Sequence, residues 1–196
     1  MIEQYKNAEP FNSATADNNT NIELVPSNTN DFPGVEVVVE KIADRKRQIT
    51  AKVPISRSPE LVWKILTNYE ALADFIPNLA KSRLLEHPTG GIRVEQIGSQ
   101  RLLNFNFSAR VVLDLEEEFP NQINFQMVEG DLKEFSGSWQ LQPFSIGEQT
   151  GTNLAYSIFV LPKRTMPVGI IEKRLSNDLR VNLLAIRQRA EELDIS

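Results

Sequence analysis

The feature that most constrains this chain is the order of its periodicities. Two short helical segments precede an unbroken series of strand-like stretches, from about Leu79 to Pro162, and one long amphipathic helix follows, from about Pro167 to Leu193. Strands joined by short turns make an antiparallel sheet, and a curved sheet cannot bury its concave face alone. A long helix laid across that face closes a hollow rather than a solid core. The expected class is α+β: a curved antiparallel sheet wrapped around the C-terminal helix, with two short helices after the first strand or strand pair.

The strands are read from alternation. β-Branched residues alternate with polar ones over Val35–Val39 and Gln48–Ile55, and the charged segment Lys41–Arg47 joins or bends them. Later turns recur at His87-Pro88-Thr89-Gly90-Gly91, Pro120-Asn121-Gln122, Glu129-Gly130-Asp131 and Gly147 to Gly151. In the clearest strand Leu103, Phe105, Phe107, Ala109, Val111, Leu113 and Leu115 form an apolar face, against Asn104, Asn106, Ser108, Arg110 and Asp114 on a wet one. Ile123, Phe125 and Met127 continue this pattern, as do Phe135, Gly137, Trp139 and Leu141. Asn153–Leu161 is apolar on both faces, so periodicity does not assign its inward set.

Ser58-Pro59-Glu60 starts the first helix, with a hydroxyl N-cap, proline in the first turn and an acid at the positive end of the dipole. It is expected to turn Leu61, Val62, Ile65 and Leu66 inward, with Trp63 and Ile65 serving packing. Asn68 is placed to cap a second short helix through Leu72 and Phe75, ended by Pro77. On the long helix, at 100° per residue, Val168, Ile171, Leu175, Leu179, Leu183, Ile186, Ala190 and Leu193 share one arc, opposite Lys173, Arg180, Arg187 and Glu191. Asn182 is the one polar residue singled out inside the apolar arc.

Composition removes several kinds of chemistry. Cysteine is absent and His87 is the single histidine, which excludes disulfides and thiolate nucleophiles and argues against zinc sites. A formal charge of -5 speaks against a dedicated nucleic-acid binder. No stretch reaches the roughly 18 apolar residues of a membrane span, and the start Met1-Ile2-Glu3-Gln4-Tyr5-Lys6 lacks the apolar run of a signal peptide. A cytoplasmic or peripheral membrane protein is expected. Residues 1–33, rich in Asn, Thr, Ser and Asp, read as a disordered tail, and 34–196 as one ligand-binding domain. Glu116-Glu117-Glu118, beside the Pro120 turn, reads as a solvated rim rather than an acid/base pair. His87 reads as a solvated turn residue, and Gly90-Gly91 lacks the lysine and following helix of a phosphate loop.

Several motifs stand together in a recognisable order: Asn68-Tyr69-Glu70 through Phe75-Ile76-Pro77, Ser108-Ala109-Arg110-Val111, Gly130 with Phe135, Trp139 and Pro143, and Ala185-Ile186-Arg187-Gln188-Arg189-Ala190. In this order, over residues 36 to 193, the chain resembles the coenzyme Q-binding START-domain family, within the polyketide cyclase/dehydrase and lipid-transport (SRPBCC) superfamily. The resemblance implies a helix-grip fold. It also implies a hydrophobic tunnel between sheet and helix for a lipid or isoprenoid quinone, without metal or cofactor. The acidic, arginine-poor N-terminal segment departs from a mitochondrial leader.

The candidate cavity residues are Phe75, Phe105, Phe107, Val111, Phe125, Met127, Trp139 and Tyr156 from the strands and short helices, and Ile171, Leu175, Leu179 and Asn182 from the long helix. No catalytic residue is assigned. Lys163 and Arg164, next to Met166, Val168 and Ile170, are candidates for contact with an anionic membrane surface. Two rival readings stand beside that of a carrier or chaperone for a hydrophobic molecule. One is a cyclase or dehydratase in which Arg110, Tyr156 or Asn182 positions a carbonyl, requiring at least two of them in the pocket. The other is a ribosome-associating module that uses its outer surface.

Overall fold

The computed structural model describes residues 22–23, 34–102, 105–146 and 149–193. The elements are β1 (Ile22–Glu23), β2 (Glu36–Lys41), β3 (Arg47–Ile55), α1 (Pro59–Leu66), a 3-10 turn (Tyr69–Ala71), α2 (Leu72–Phe75), β4 (Leu79–Leu85), β5 (Ile92–Leu102), β6 (Phe105–Glu118), β7 (Gln122–Gly130), β8 (Glu134–Ile146), β9 (Gln149–Leu161) and α3 (Val168–Glu192). All strands pair antiparallel in one open sheet, ordered β1-β2-β3-β9-β8-β7-β6-β5-β4. Of the expected tail, Ile22–Glu23 pairs with Glu40 and Val39, and the rest lies outside the described residues.

The step from β3 to β9 resolves the strand that periodicity left open. Ile49, Ala51, Val53 and Ile55 of β3 are buried and stand opposite Ile158, Tyr156, Leu154 and Thr152. Directly opposed residues share a face, so β9 turns Leu154, Tyr156, Ile158 and Val160 inward. The same register carries the inner face to Leu141, Trp139, Gly137 and Phe135 of β8, then to Ile123 and Phe125 of β7.

α1 begins as expected, with Ser58 Oγ accepting from the Leu61 amide at 3.5 Å. It buries Val62, Trp63, Ile65 and Leu66, and Trp63 also meets Phe119 edge-on at 5.5 Å. Leu61 is half-buried rather than turned in. The Asn68 side chain makes no cap; its carbonyl instead accepts from the Ala71 amide, so the segment starts as a 3-10 turn. α3 buries Ile171, Leu179, Leu183, Ile186 and Ala190 against β3 and α1, each large aliphatic contributing about 1.5–3 kcal/mol. Leu193, at its C-cap, is exposed. The N-terminal end of α3 is tied to the β2–β3 hairpin by Arg47 Nε to Glu172 at 2.6 Å. Arg45 Nη2 donates to the carbonyls of Lys163 and Met166 at 3.0 and 2.8 Å.

The outer face carries charge. Glu95, 4% exposed, accepts from Arg83 Nε at 2.6 Å and Arg110 Nε at 2.7 Å, with Lys81 Nζ at 3.6 Å. These bonds hold its carboxyl down from 4.5 to about 2. Arg93 engages Asp114 through both Nε and Nη2 and holds that carboxyl low as well. His87 is less solvated than a turn residue was expected to be. Its side chain is 15% exposed, its Nδ1 accepts from the Gly91 amide at 3.0 Å, and its Nε2 lies 3.3 Å from Asp114.

A carboxyl whose pKa is depressed in the folded state stabilises the fold above its unfolded value, and that contribution fades as pH falls through the folded value. Glu95→Gln is therefore expected to melt below the wild type at pH 7, with the gap shrinking between about pH 4.5 and about pH 2. Melting curves across that window check it; a gap independent of pH would show that the carboxylate charge contributes nothing.

Candidate functional site

Between the inner face of the sheet and α3 lies a partly open cavity of about 180 Å³. Its existence follows from the strand register. Gly98 of β5 stands opposite Ala109 of β6, and both line the hollow, so these two facing positions supply almost no side chain to fill it. The neighbouring inward pairs, Gln96 with Val111 and Val94 with Leu113, complete that wall.

The opposite wall is aromatic. Trp139 and Tyr156, paired across β8 and β9, stack with centroids 3.7 Å apart and planes 5° from parallel. Phe125 sits 5.5 Å from Phe135 and 6.0 Å from Tyr156. Its ring fits because it lies over Gly137, where a Cβ would stand 2.7 Å from Phe125 Cζ. Ile171, Leu175 and Leu179 of α3 cover the hollow, and Leu66, Leu72 and Ile76 enclose it from the short helices.

A polar ridge also reaches the cavity: Arg174, Asp178 and Asn182, spaced i, i+4, i+8 along α3. Asp178 accepts from Asn78 Nδ2 at 2.8 Å and lies 3.5 Å from Arg174 Nε. Burial raises the Asp178 carboxyl above its usual range, while Arg174 and Asn78 oppose that rise. Burial, reinforced by Asp178, raises the Tyr156 phenol, which therefore stays protonated and able to donate. At another margin Tyr69, raised by burial and then by its partner, donates to Glu117 at 2.6 Å. Asn182 Oδ1 is buried and has no hydrogen-bond partner among the described residues.

Of the residues singled out from sequence, Val111, Phe125, Trp139, Tyr156, Ile171, Leu175, Leu179 and Asn182 surround the cavity. Phe75 does not: it packs between the two buried clusters. Met127 does not line it either. It keeps the inward register opposite Leu113 but packs against the core, with its sulfur beside Gly130, and the register shift comes only after it, between Val112 and Leu113. Phe105 and Phe107 belong to β6, but their side chains lie outside the described residues. Arg110 is on the outer face, bonded to Glu95 and Glu129. The cyclase reading therefore retains Tyr156 and Asn182 alone of its three groups. Arg174 and Asp178 were missed because charge reads as solvent-facing, although at 100° per residue Asp178 falls about 20° from Ile171. That phase was the available signal. Phe135, Gln96 and Asn78 are among the further lining residues outside the predicted set. Among the described lining residues, the ionisable ones are Tyr69, Tyr156, Arg174 and Asp178.

The architecture is shared with solved structures. It is similar to the STAR-related lipid transfer protein from Xanthomonas axonopodis, at 18% identity over 82% of this chain and 96% of that one, with a TM-score of 0.64. A START superfamily protein from Mycobacterium smegmatis matches at 18% identity, 74% and 98% coverage and a TM-score of 0.62. The Zhui aromatase/cyclase from Streptomyces sp. R1128 matches at 19% identity, 74% and 94% coverage and a TM-score of 0.59. No curated protein matches the sequence significantly. At these identities the structural likeness speaks for the fold, the curved open sheet gripping a long C-terminal helix. The family model described as polyketide cyclase / dehydrase and lipid transport matches residues 55–184, which run from the end of β3 into α3 and include nearly all of the cavity wall, and the chain belongs to that family.

Proposed function

We propose that the protein binds a hydrophobic small molecule, an isoprenoid quinone or other lipid, between the sheet and α3, and acts as its carrier or chaperone. The observation that carries this reading is the apolar cavity of about 180 Å³ beneath a complete helix. A cavity of about 150 Å³ lined by aliphatic and aromatic groups accommodates benzene, so this one holds a ring, and a longer tail would leave through the open side. Each methylene withdrawn from water contributes about 0.8 kcal/mol. Mass spectrometry of organic extracts from the purified native protein tests the proposal directly. Recovery of a quinone, isoprenoid or acyl lipid is expected, and an empty protein that takes up no apolar probe would refute it. The cyclase alternative would replace it if a polyketide-like substrate were turned over by the wild type and not by Tyr156→Phe.

Delivery to a membrane is part of this proposal. Lys163, Arg164 and Lys173 are exposed around Ile170, itself 63% exposed, at the N-terminal end of α3. Met166, expected to join them, packs partly against the core instead. Among the described residues no helix is long and apolar enough to cross a membrane, so contact would be superficial, with each cation near the surface contributing about 1 kcal/mol. The double substitution Lys163→Glu with Arg164→Glu is expected to weaken binding to phosphatidylserine vesicles at least about tenfold in low salt, with unchanged uptake of an apolar probe. Equal sedimentation of mutant and wild type with vesicles would remove the membrane from the proposal.

A further inference from the structure

The polar groups around the cavity are unequal in what they still lack. Both carboxylate oxygens of Asp178 are engaged, Oδ1 by Asn78 and Oδ2 by Arg174. Gln96 reaches Ser82 across the β4–β5 pair at 3.4 Å. Asn182 differs. Its Oδ1 is shut off from solvent, has no donor among the described residues, and is flanked along α3 by the buried Leu179, Leu183 and Ile186. A buried carbonyl oxygen without a donor is costly, and nearly all such groups in folded proteins are satisfied by protein, water or ligand. The helix itself supplies no answer, because the side chain lies on the face turned to the cavity.

From this we infer that the ligand brings a hydrogen-bond donor, a hydroxyl on a ring or at the head of a lipid, and that Asn182 is the residue that selects it. The inference rests on the cavity reading above and narrows the ligand class. A hydroxylated ring such as a hydroquinone or phenol satisfies Oδ1, whereas a ring bearing only carbonyl or ether oxygens sets acceptor against acceptor. The Trp139–Tyr156 stack and the small pair Gly98–Ala109 line the same cavity and leave room of ring size in it. Tyr156, which lines the same cavity from the sheet, keeps its phenol protonated and is a donor available to the oxygen of such a hydroxyl.

The test uses three ring-sized probes with the full chain: 1-naphthol, 1-methoxynaphthalene and naphthalene, titrated by calorimetry or fluorescence. The wild type is expected to bind 1-naphthol roughly tenfold more tightly than the other two. Asn182→Leu, which removes the acceptor and fills its place with apolar volume, should bind all three alike. Asn182→Ala provides the same comparison without added bulk, and melting curves of both variants establish that they fold. Equal affinity of the wild type for the three probes would overturn the inference while leaving the cavity reading intact, as would a naphthol preference that survives in both variants. Failure of the wild type to bind any probe would overturn both.

Discussion

Ala109→Phe is expected to abolish uptake of apolar ligands, weakening binding by about 100-fold or more, while the melting temperature stays level or rises. Ala109 and Gly98 face each other across β5 and β6, where the wall of the cavity of about 180 Å³ carries almost no side chain. A phenyl group is the size of benzene, which fills a cavity of about 150 Å³, so the new side chain occupies most of the space a ligand would use. Filling an apolar void adds contacts without displacing existing ones, so the fold should not suffer. Gly98→Leu serves as an independent plug. A Cβ there meets nothing closer than 3.7 Å, so the backbone accepts it. Ligand titration and thermal melting check the pair. If both variants bind as the wild type does, the ligand sits elsewhere.

Gly137→Ala should have the largest effect on stability, a loss of about 3 kcal/mol, or a melting temperature lower by about 6–12 °C for a chain of this size. A Cβ at Gly137 would stand 2.1 Å from the Ser157 carbonyl oxygen, 2.7 Å from Phe125 Cζ and 3.0 Å from Ile158 Cα. Two of those three contacts are backbone of the neighbouring strand, which cannot rotate away as a side chain would. Relief requires opening the β8–β9 pairing at Gly137 and Ile158 as well as shifting the Phe125 ring. The position is the device that lets a large ring lie flat on the inner face of the sheet. Gly98→Ala, with its 3.7 Å clearance, is the control and should melt within a few degrees of the wild type. A Gly137→Ala protein that melts with the control would show that the strands adjust freely.

Arg110 shows both the reach and the limit of periodicity. Its alternation with Ala109 and Val111 put it on the wet face, where it binds Glu95 and Glu129. The rival cyclase reading, which offered Arg110 as one of three groups to position a carbonyl in the pocket, ran against that phase, and Arg110 lies on the outer face. Asp178 shows the reverse failure. Its helical phase pointed inward, but its charge suggested solvent, and only the groove beside Asn78 supplies the partner that makes an inward carboxylate tolerable.

The order of elements, the face of β3, the start of α1 and the apolar arc of α3 were determined by the sequence alone, because each depends on residues near one another along the chain. Capping, alternation and helical phase act over a few positions, and a local pattern reports them. The cavity was decided by the tertiary structure. It depends on Gly98 meeting Ala109 in register and on Gly137 lying beneath Phe125. The inward set of β9 likewise became readable through its pairing with β3. Periodicity tells which side of an element faces the interior. Whether facing residues meet or leave a gap depends on which strands pair and in what register, and those contacts join residues far apart in the chain.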